Sequence, residues 1–127
     1  MKLHFVLTAL TISTLIIACG KKDDEKKDYL KDVNCTGIDA AENTYTAAIK
    51  PILNNSCALG GCHDAATKVS DVDLSDYAAA REAFEKKAVL CSINHGNECS
   101  RMPKGGAKLP NDLIRKLSCW AKNGYAE

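Results

Sequence analysis

Aromatic residues are scarce in this sequence: Phe, Trp and Tyr make up 6% of it, with a single tryptophan. It has no basic stripe and no aromatic platform, and its formal net charge is only +1. Nucleic-acid binding needs a clustered positive footprint, so that class is excluded. Proline occurs three times, and no stretch of any length alternates apolar and polar residues as a half-buried strand would. No internal repeat is present. Methionine is the rarest absence to matter: after Met1, Met102 is the only one in the chain.

What is present begins with an address. Residues 1–19 carry an early Lys2, an apolar or hydroxylic run from Phe5 to Ala18, and then Cys19. A short apolar core after a basic start, ending in a small residue, reads as a secretory signal and not as a spanning helix. Ile16-Ile17-Ala18-Cys19 resembles a bacterial lipobox, in which the cysteine is acylated and becomes the mature N-terminus. Cys19 is therefore the expected lipidation site, anchoring the protein to a membrane of the bacterial cell envelope, on the periplasmic side or at the cell surface. Residues 20–34 mix Lys21, Lys22, Lys26, Lys27 and Lys31 with Asp23, Asp24, Glu25, Asp28 and Asp32. So little apolar surface cannot offset the entropy of ordering, which predicts a charged, flexible tether.

Residues 35–127 are enough for one small domain with one modest core. They carry equal numbers of acidic and basic side chains. Their periodicity is helical. Tyr45, Ala48, Ile49, Ile52 and Leu53 share one face, with Pro51 predicting a kink or a helix start close before it. A loop is expected over 64–74. Ser75 is the expected N-cap of a second helix, with Asp76 in its first turn and a stripe of Tyr77, Ala80, Phe84, Ala88 and Cys91. The last helix is expected to start near Pro110, Asn111 or Asp112 and to stop at Gly124, burying Leu113, Ile114, Leu117 and Trp120. The fold class is all-α, with three to four helices.

The chemistry centres on Cys57-Ala58-Leu59-Gly60-Gly61-Cys62-His63. A histidine directly after a cysteine can bind iron while the two thiols hold a haem covalently through its vinyl groups. The familiar attachment signature is C-x-x-C-H, and this bracket is two residues longer. The two glycines suit the outward loop that a longer bracket requires. Two plainer readings stand beside it. Cys57 and Cys62 could close a small disulfide loop with His63 at the surface, or they could be half of a zinc site. Downstream, Met102 stands in a loop before Pro103, Gly105 and Gly106, away from any helical face. A thioether there can be a second axial ligand to iron, and His95 is its rival.

Together these motifs resemble a family. A helix with Ile49-Lys50-Pro51-Ile52-Leu53, the Cys57…Cys62-His63 bracket, Met102-Pro103-Lys104-Gly105-Gly106 and Trp120…Gly124 is similar to the small monohaem c-type cytochromes that are bacterial lipoproteins. The likeness covers roughly residues 44–125. It implies a class I cytochrome c-like domain with one covalent haem c per chain. Cys57 and Cys62 would form the thioethers, His63 would be the proximal ligand and Met102 the distal one. It further implies one-electron transfer between transient redox partners by a monomer that is not an enzyme. An apolar pocket would come from Ile49, Leu53, Phe84, Leu117 and Trp120. The two other readings are a haem enzyme or sensor with an open iron position, and a haem-free, disulfide-stapled binding module.

Cys35, Cys91, Cys99 and Cys119 remain, an even number as an exported protein should have. Four cysteines allow three pairings. Cys91–Cys99 with Cys35–Cys119 is the expected set, with Cys99–Cys119 as the alternative.

Overall fold

A computed structural model describes residues 28–127. The signal sequence, Cys19 and residues 20–27 of the expected tether lie outside the described residues. Among the described residues the chain forms helices and no strands: a π-helical turn Tyr45–Ile49, α1 (Lys50–Ser56), a 3₁₀ turn Val69–Asp71, α2 (Tyr77–Lys86), α3 (Val89–Asn94) and α4 (Asn111–Lys122). The all-α class holds.

Pro51 explains the first element. A proline inside a helix lacks the N–H and crowds the carbonyl four residues back, here that of Ala47. The turn before it widens: the Ile49 N–H reaches the Thr44 carbonyl at 3.2 Å, and the Lys50 N–H bonds the Tyr45 carbonyl. Regular α-helix follows from Lys50, with the proline in its first turn, where its missing N–H costs least. Thr44 caps the assembly, its Oγ1 accepting from the Ala47 N–H at 3.3 Å.

Two expectations about the second helix are corrected. Asp76, not Ser75, is the N-cap: its carboxylate accepts from the Ala79 N–H at 2.9 Å. Ser75 instead donates its hydroxyl to Asp73, 2.6 Å away. The single stripe from Tyr77 to Cys91 also breaks, at Lys87, which is extended (φ −110°, ψ 174°). At about 100° per residue, Val89 and Ile93 would lie roughly 140° and 180° around a straight helix from Phe84. Two apolar stripes so far out of phase cannot face one core. The break re-phases the chain, so that Ala80, Ala83 and Phe84 of α2 and Val89, Cys91 and Ile93 of α3 are all buried, while Ala88 is left exposed.

The last helix behaves as its pattern predicts. It begins at Asn111 after Pro110, and Gly124 takes the left-handed conformation just past its end (φ 88°). Ile114, Leu117 and Trp120 are buried and Leu113 half-buried. Trp120 is the hub of the core. Its ring meets Phe84 edge-on at 5.4 Å and Tyr125 at 5.0 Å, and Tyr45 lies 6.0 Å away. Aromatic contacts of this kind add about 0.5–1.5 kcal/mol beyond area burial. The C-terminal tail folds back over the start of the first helix. The Ala126 carbonyl accepts from the Tyr45 N–H and from the Trp120 Nε1–H, both at 2.8 Å, supplying a helix-start donor with the partner it needs.

Two disulfides staple the domain, Cys35–Cys119 and Cys91–Cys99, with Cα separations of 5.7 and 6.1 Å. The expected pairing is the one present. Residues 28–34, the end of the expected tether, make turns against the domain. Leu30 packs on the core, and Lys122 Nζ donates to the Val33 carbonyl at 2.8 Å.

Candidate functional site

The bracket is delivered by the end of α1. Both the Cys57 and Ala58 N–H groups bond the Leu53 carbonyl at 2.8 Å, closing the helix. The chain then loops outward through Gly60 and Gly61, the latter at φ 82°, and nothing lies within 4 Å of where a side chain would start at either glycine. It returns so that the His63 N–H meets the Cys57 carbonyl at 3.2 Å. Cys57, Cys62 and His63 are thus brought together, as the spacing predicts.

Among the described cysteines, Cys57 and Cys62 alone are free thiols. Cys57 is half-buried, and burial pushes its thiol up from 9.0 to about 11, with Cys62 nearby adding to the shift. A thiol so reluctant to ionise is a poor nucleophile. Cys62 is exposed.

The loop 64–74 wraps back onto the bracket. The Val69 N–H bonds the Cys62 carbonyl and the Leu74 N–H bonds the His63 carbonyl, each at 2.9 Å. The His63 ring lies with Nδ1 3.1 Å from the Val72 carbonyl oxygen. A carbonyl can only accept, so Nδ1 carries the proton and donates. Nε2 is then the lone-pair nitrogen, the form in which a neutral imidazole binds a metal. The loop is held at its far end by Asp73, which accepts from the Ser75 hydroxyl and N–H and pairs with Lys68 at 2.9 Å. Lys68, Ser70 and Asp71 all take left-handed backbone angles. For residues other than glycine such angles are costly and persist only where neighbouring bonds impose them. The two large apolar side chains exposed among the described residues, Leu59 and Val69, both belong to this bracket and its wrapping loop.

A second group forms beyond α3. Met102 is half-buried, its peptide to Pro103 is cis, and its N–H bonds the Ser92 carbonyl at 3.1 Å. The Nε2–H of His95 donates to the Met102 carbonyl at 3.0 Å. The Cys91–Cys99 disulfide closes the loop that contains His95. No hydrogen bond joins this group to the bracket among the described residues; Cys57 packs against the core, in which Ile93 of α3 is buried.

The side chains are of the chemical types that a covalently attached haem would take: two unpaired thiols, an imidazole whose Nδ1 is committed and whose Nε2 is free, and a thioether in a loop. The expected apolar pocket needs correction. Ile49, Leu53, Phe84, Leu117 and Trp120 are at most 4% exposed and form one packed cluster, so they are the core itself. A cleft does open elsewhere, lined by Asp28, Tyr29, Asp32, His95 and Glu98 among others, a polar lining that the sequence reading missed. No spacing pattern could have flagged it, because it joins the tether's end to the residues after α3. No three His, Cys, Asp or Glu side chains gather as a metal site among the described residues.

No protein-family model matches the chain, and no curated protein or solved structure matches it.

Proposed function

We propose that the chain is a monohaem c-type cytochrome, anchored through a lipid on Cys19 in a bacterial cell envelope, that carries single electrons between redox partners. One observation supports this above the others, the sorting of the thiols. Cys35, Cys91, Cys99 and Cys119 pair among themselves. The two left free bracket a loop and precede a histidine whose Nδ1 is already spent on the backbone. A purely stapled loop gives no reason for that combination, and a zinc site would need further ligands, which do not gather here among the described residues; haem attachment gives a reason for each part.

In this reading Cys57 and Cys62 bear the thioethers, His63 Nε2 is the proximal ligand and Met102 the distal one. Met102 is preferred over His95 because Pro103, Gly105 and Gly106 suit a ligand loop around it, and because His95 Nε2, the ring nitrogen farther from the backbone, donates to the Met102 carbonyl. Bound haem supplies a reversible one-electron iron couple, and a Met/His ligand pair raises its potential. The chain's own work is positional. Val72 orients the imidazole, the loop 64–74 holds the bracket, and the aromatic core around Trp120 keeps the frame rigid. Leu59 and Val69 offer an apolar surface beside the attachment point for brief contact with a partner. No helix among the described residues is long and apolar enough to cross a membrane; in this reading the anchor is the lipid on Cys19.

The two disulfides also suit a second reading, a haem-free, stapled binding module. One experiment separates them. The full chain is exported in a host with haem-attachment machinery, deacylated and weighed intact. A mass increased by one haem, lost in Cys62→Ser, is the expected result. Polypeptide mass alone, with a colourless protein, would leave the stapled module standing.

A further inference from the structure

We infer that His95 is a positioning residue: its side chain fixes the backbone of Met102 and so presents the thioether as an iron ligand. The inference rests on the reading of Met102 given above. Both backbone polar groups of Met102 are tied to the end of α3. Its N–H goes to the Ser92 carbonyl at 3.1 Å, and its carbonyl accepts from His95 Nε2 at 3.0 Å. The Cys91–Cys99 disulfide closes the loop that contains both Ser92 and His95, and leaves only residues 100 and 101 between its second sulfur and Met102. The ring is aimed by its own backbone. His95 ends α3 in the left-handed conformation (φ 58°, ψ 39°), with its N–H bonded back into the helix. Loops supply ligands precisely only when their mobility is removed, and here a short irregular stretch is pinned at three points. Without the His95 bond, the Met102 carbonyl loses its partner and Met102 is held at its N–H alone.

The test uses the full chain, exported with haem-attachment machinery, as wild type, His95→Ala and His95→Gln. Glutamine's amide nitrogen reaches about as far as Nε2 and can donate to the same carbonyl. Alanine and glutamine bear the same left-handed backbone, so their difference isolates the side-chain bond. Three readouts are taken: the charge-transfer band of thioether-bound ferric haem, the reduction potential, and tryptic cleavage after Arg101 and Lys104. Both cleavage sites are exposed and flank Met102. His95→Ala is expected to lose the band and lower the potential. Cleavage should quicken roughly fivefold, the equivalent of one neutral hydrogen bond. His95→Gln should restore all three toward wild type. A haem-loaded His95→Ala protein with band, potential and cleavage unchanged overturns the inference alone. So does a glutamine variant as impaired as alanine, which would show that the hydrogen bond is not what matters. A wild type that carries haem but lacks the thioether band removes Met102 as ligand and the inference with it. A wild type without haem removes the proposed function itself.

Discussion

The Nδ1–H of His63 points at the carbonyl oxygen of Val72, 3.1 Å away, and this one bond decides which nitrogen of the ring can meet a metal. Its acceptor belongs to the backbone, so no change of the Val72 side chain removes it. Replacing His63 with alanine removes the proposed iron ligand but leaves both thiols. The expected result is a chain that attaches little haem, with any attached haem lacking the low-spin spectrum of the wild type. An unchanged reduced spectrum would place the proximal ligand elsewhere.

Chemical labelling of the haem-free chain should separate the two bracket thiols. With Cys57 raised to about 11, about one molecule in a thousand carries its thiolate at pH 8. Iodoacetamide followed by peptide mass mapping should therefore mark exposed Cys62 first, and Cys57 only after unfolding or near pH 11. The sign for stability follows from the same shift. The folded value lies above the unfolded one, so this thiol's contribution is intact below pH 9 and is lost as pH rises toward 11. Equal labelling rates at pH 8 would mean that the end of α1 is open in solution.

Acid should loosen the loop that holds His63. Hydrogen bonds from Ser75, and then the pairing with Lys68, hold the Asp73 carboxyl down to about 2. A folded value below the unfolded one stabilises the protein above about pH 4, and that contribution disappears as pH falls toward 2. Asp73→Asn should cost on the order of 1 kcal/mol at pH 7 once solvent screening is allowed for. In urea melts the gap between wild type and variant should narrow below about pH 4 and be nearly closed by about pH 1.5. A gap that persists there would assign the effect to something other than the carboxylate charge.

The two staples should differ in worth. Cys35–Cys119 spans 84 residues of sequence and Cys91–Cys99 only 8. If cross-links act by restricting the unfolded chain, the longer loop contributes more, about 4 kcal/mol against roughly 2–3. Paired serine replacements, compared by denaturant midpoint, should show that order. The reverse order would mean that the shorter bridge stabilises the folded loop around Met102 directly.

Trp120 is 1% exposed and touches three other aromatic rings. Trp120→Ala should cost about 3–5 kcal/mol by opening a cavity at the centre of the domain. Calorimetry of the variant would measure it. A loss below about 1 kcal/mol would mean that the surrounding rings collapse into the space.

The sequence made the long-period features readable and hid the local ones. α4 could be placed because Pro110, an apolar stripe and Gly124 all agree. The bracket was legible because its chemistry is carried by contiguous residues. The break at Lys87 was not, since Phe84, Ala88 and Cys91 fit one helix while the conflicting stripe of Val89 and Ile93 is only two residues long. Ser75 and Asp76 are both good caps, and only the competition of Asp73 for the serine hydroxyl decides between them. The bonds from His63 to Val72 and from His95 to Met102 end on backbone carbonyls, which every residue owns, so no residue type announces them.

The bridge from Cys35 to Cys119 has a mechanical meaning as well. A pull on the chain ahead of Cys35 passes straight through the sulfur atoms into α4, the helix that carries Trp120. The stretch between the two cysteines, with every residue of the candidate site, stays off the line of tension. A domain pulled from its N-terminal side would be tugged as one bead and not unwound from its end.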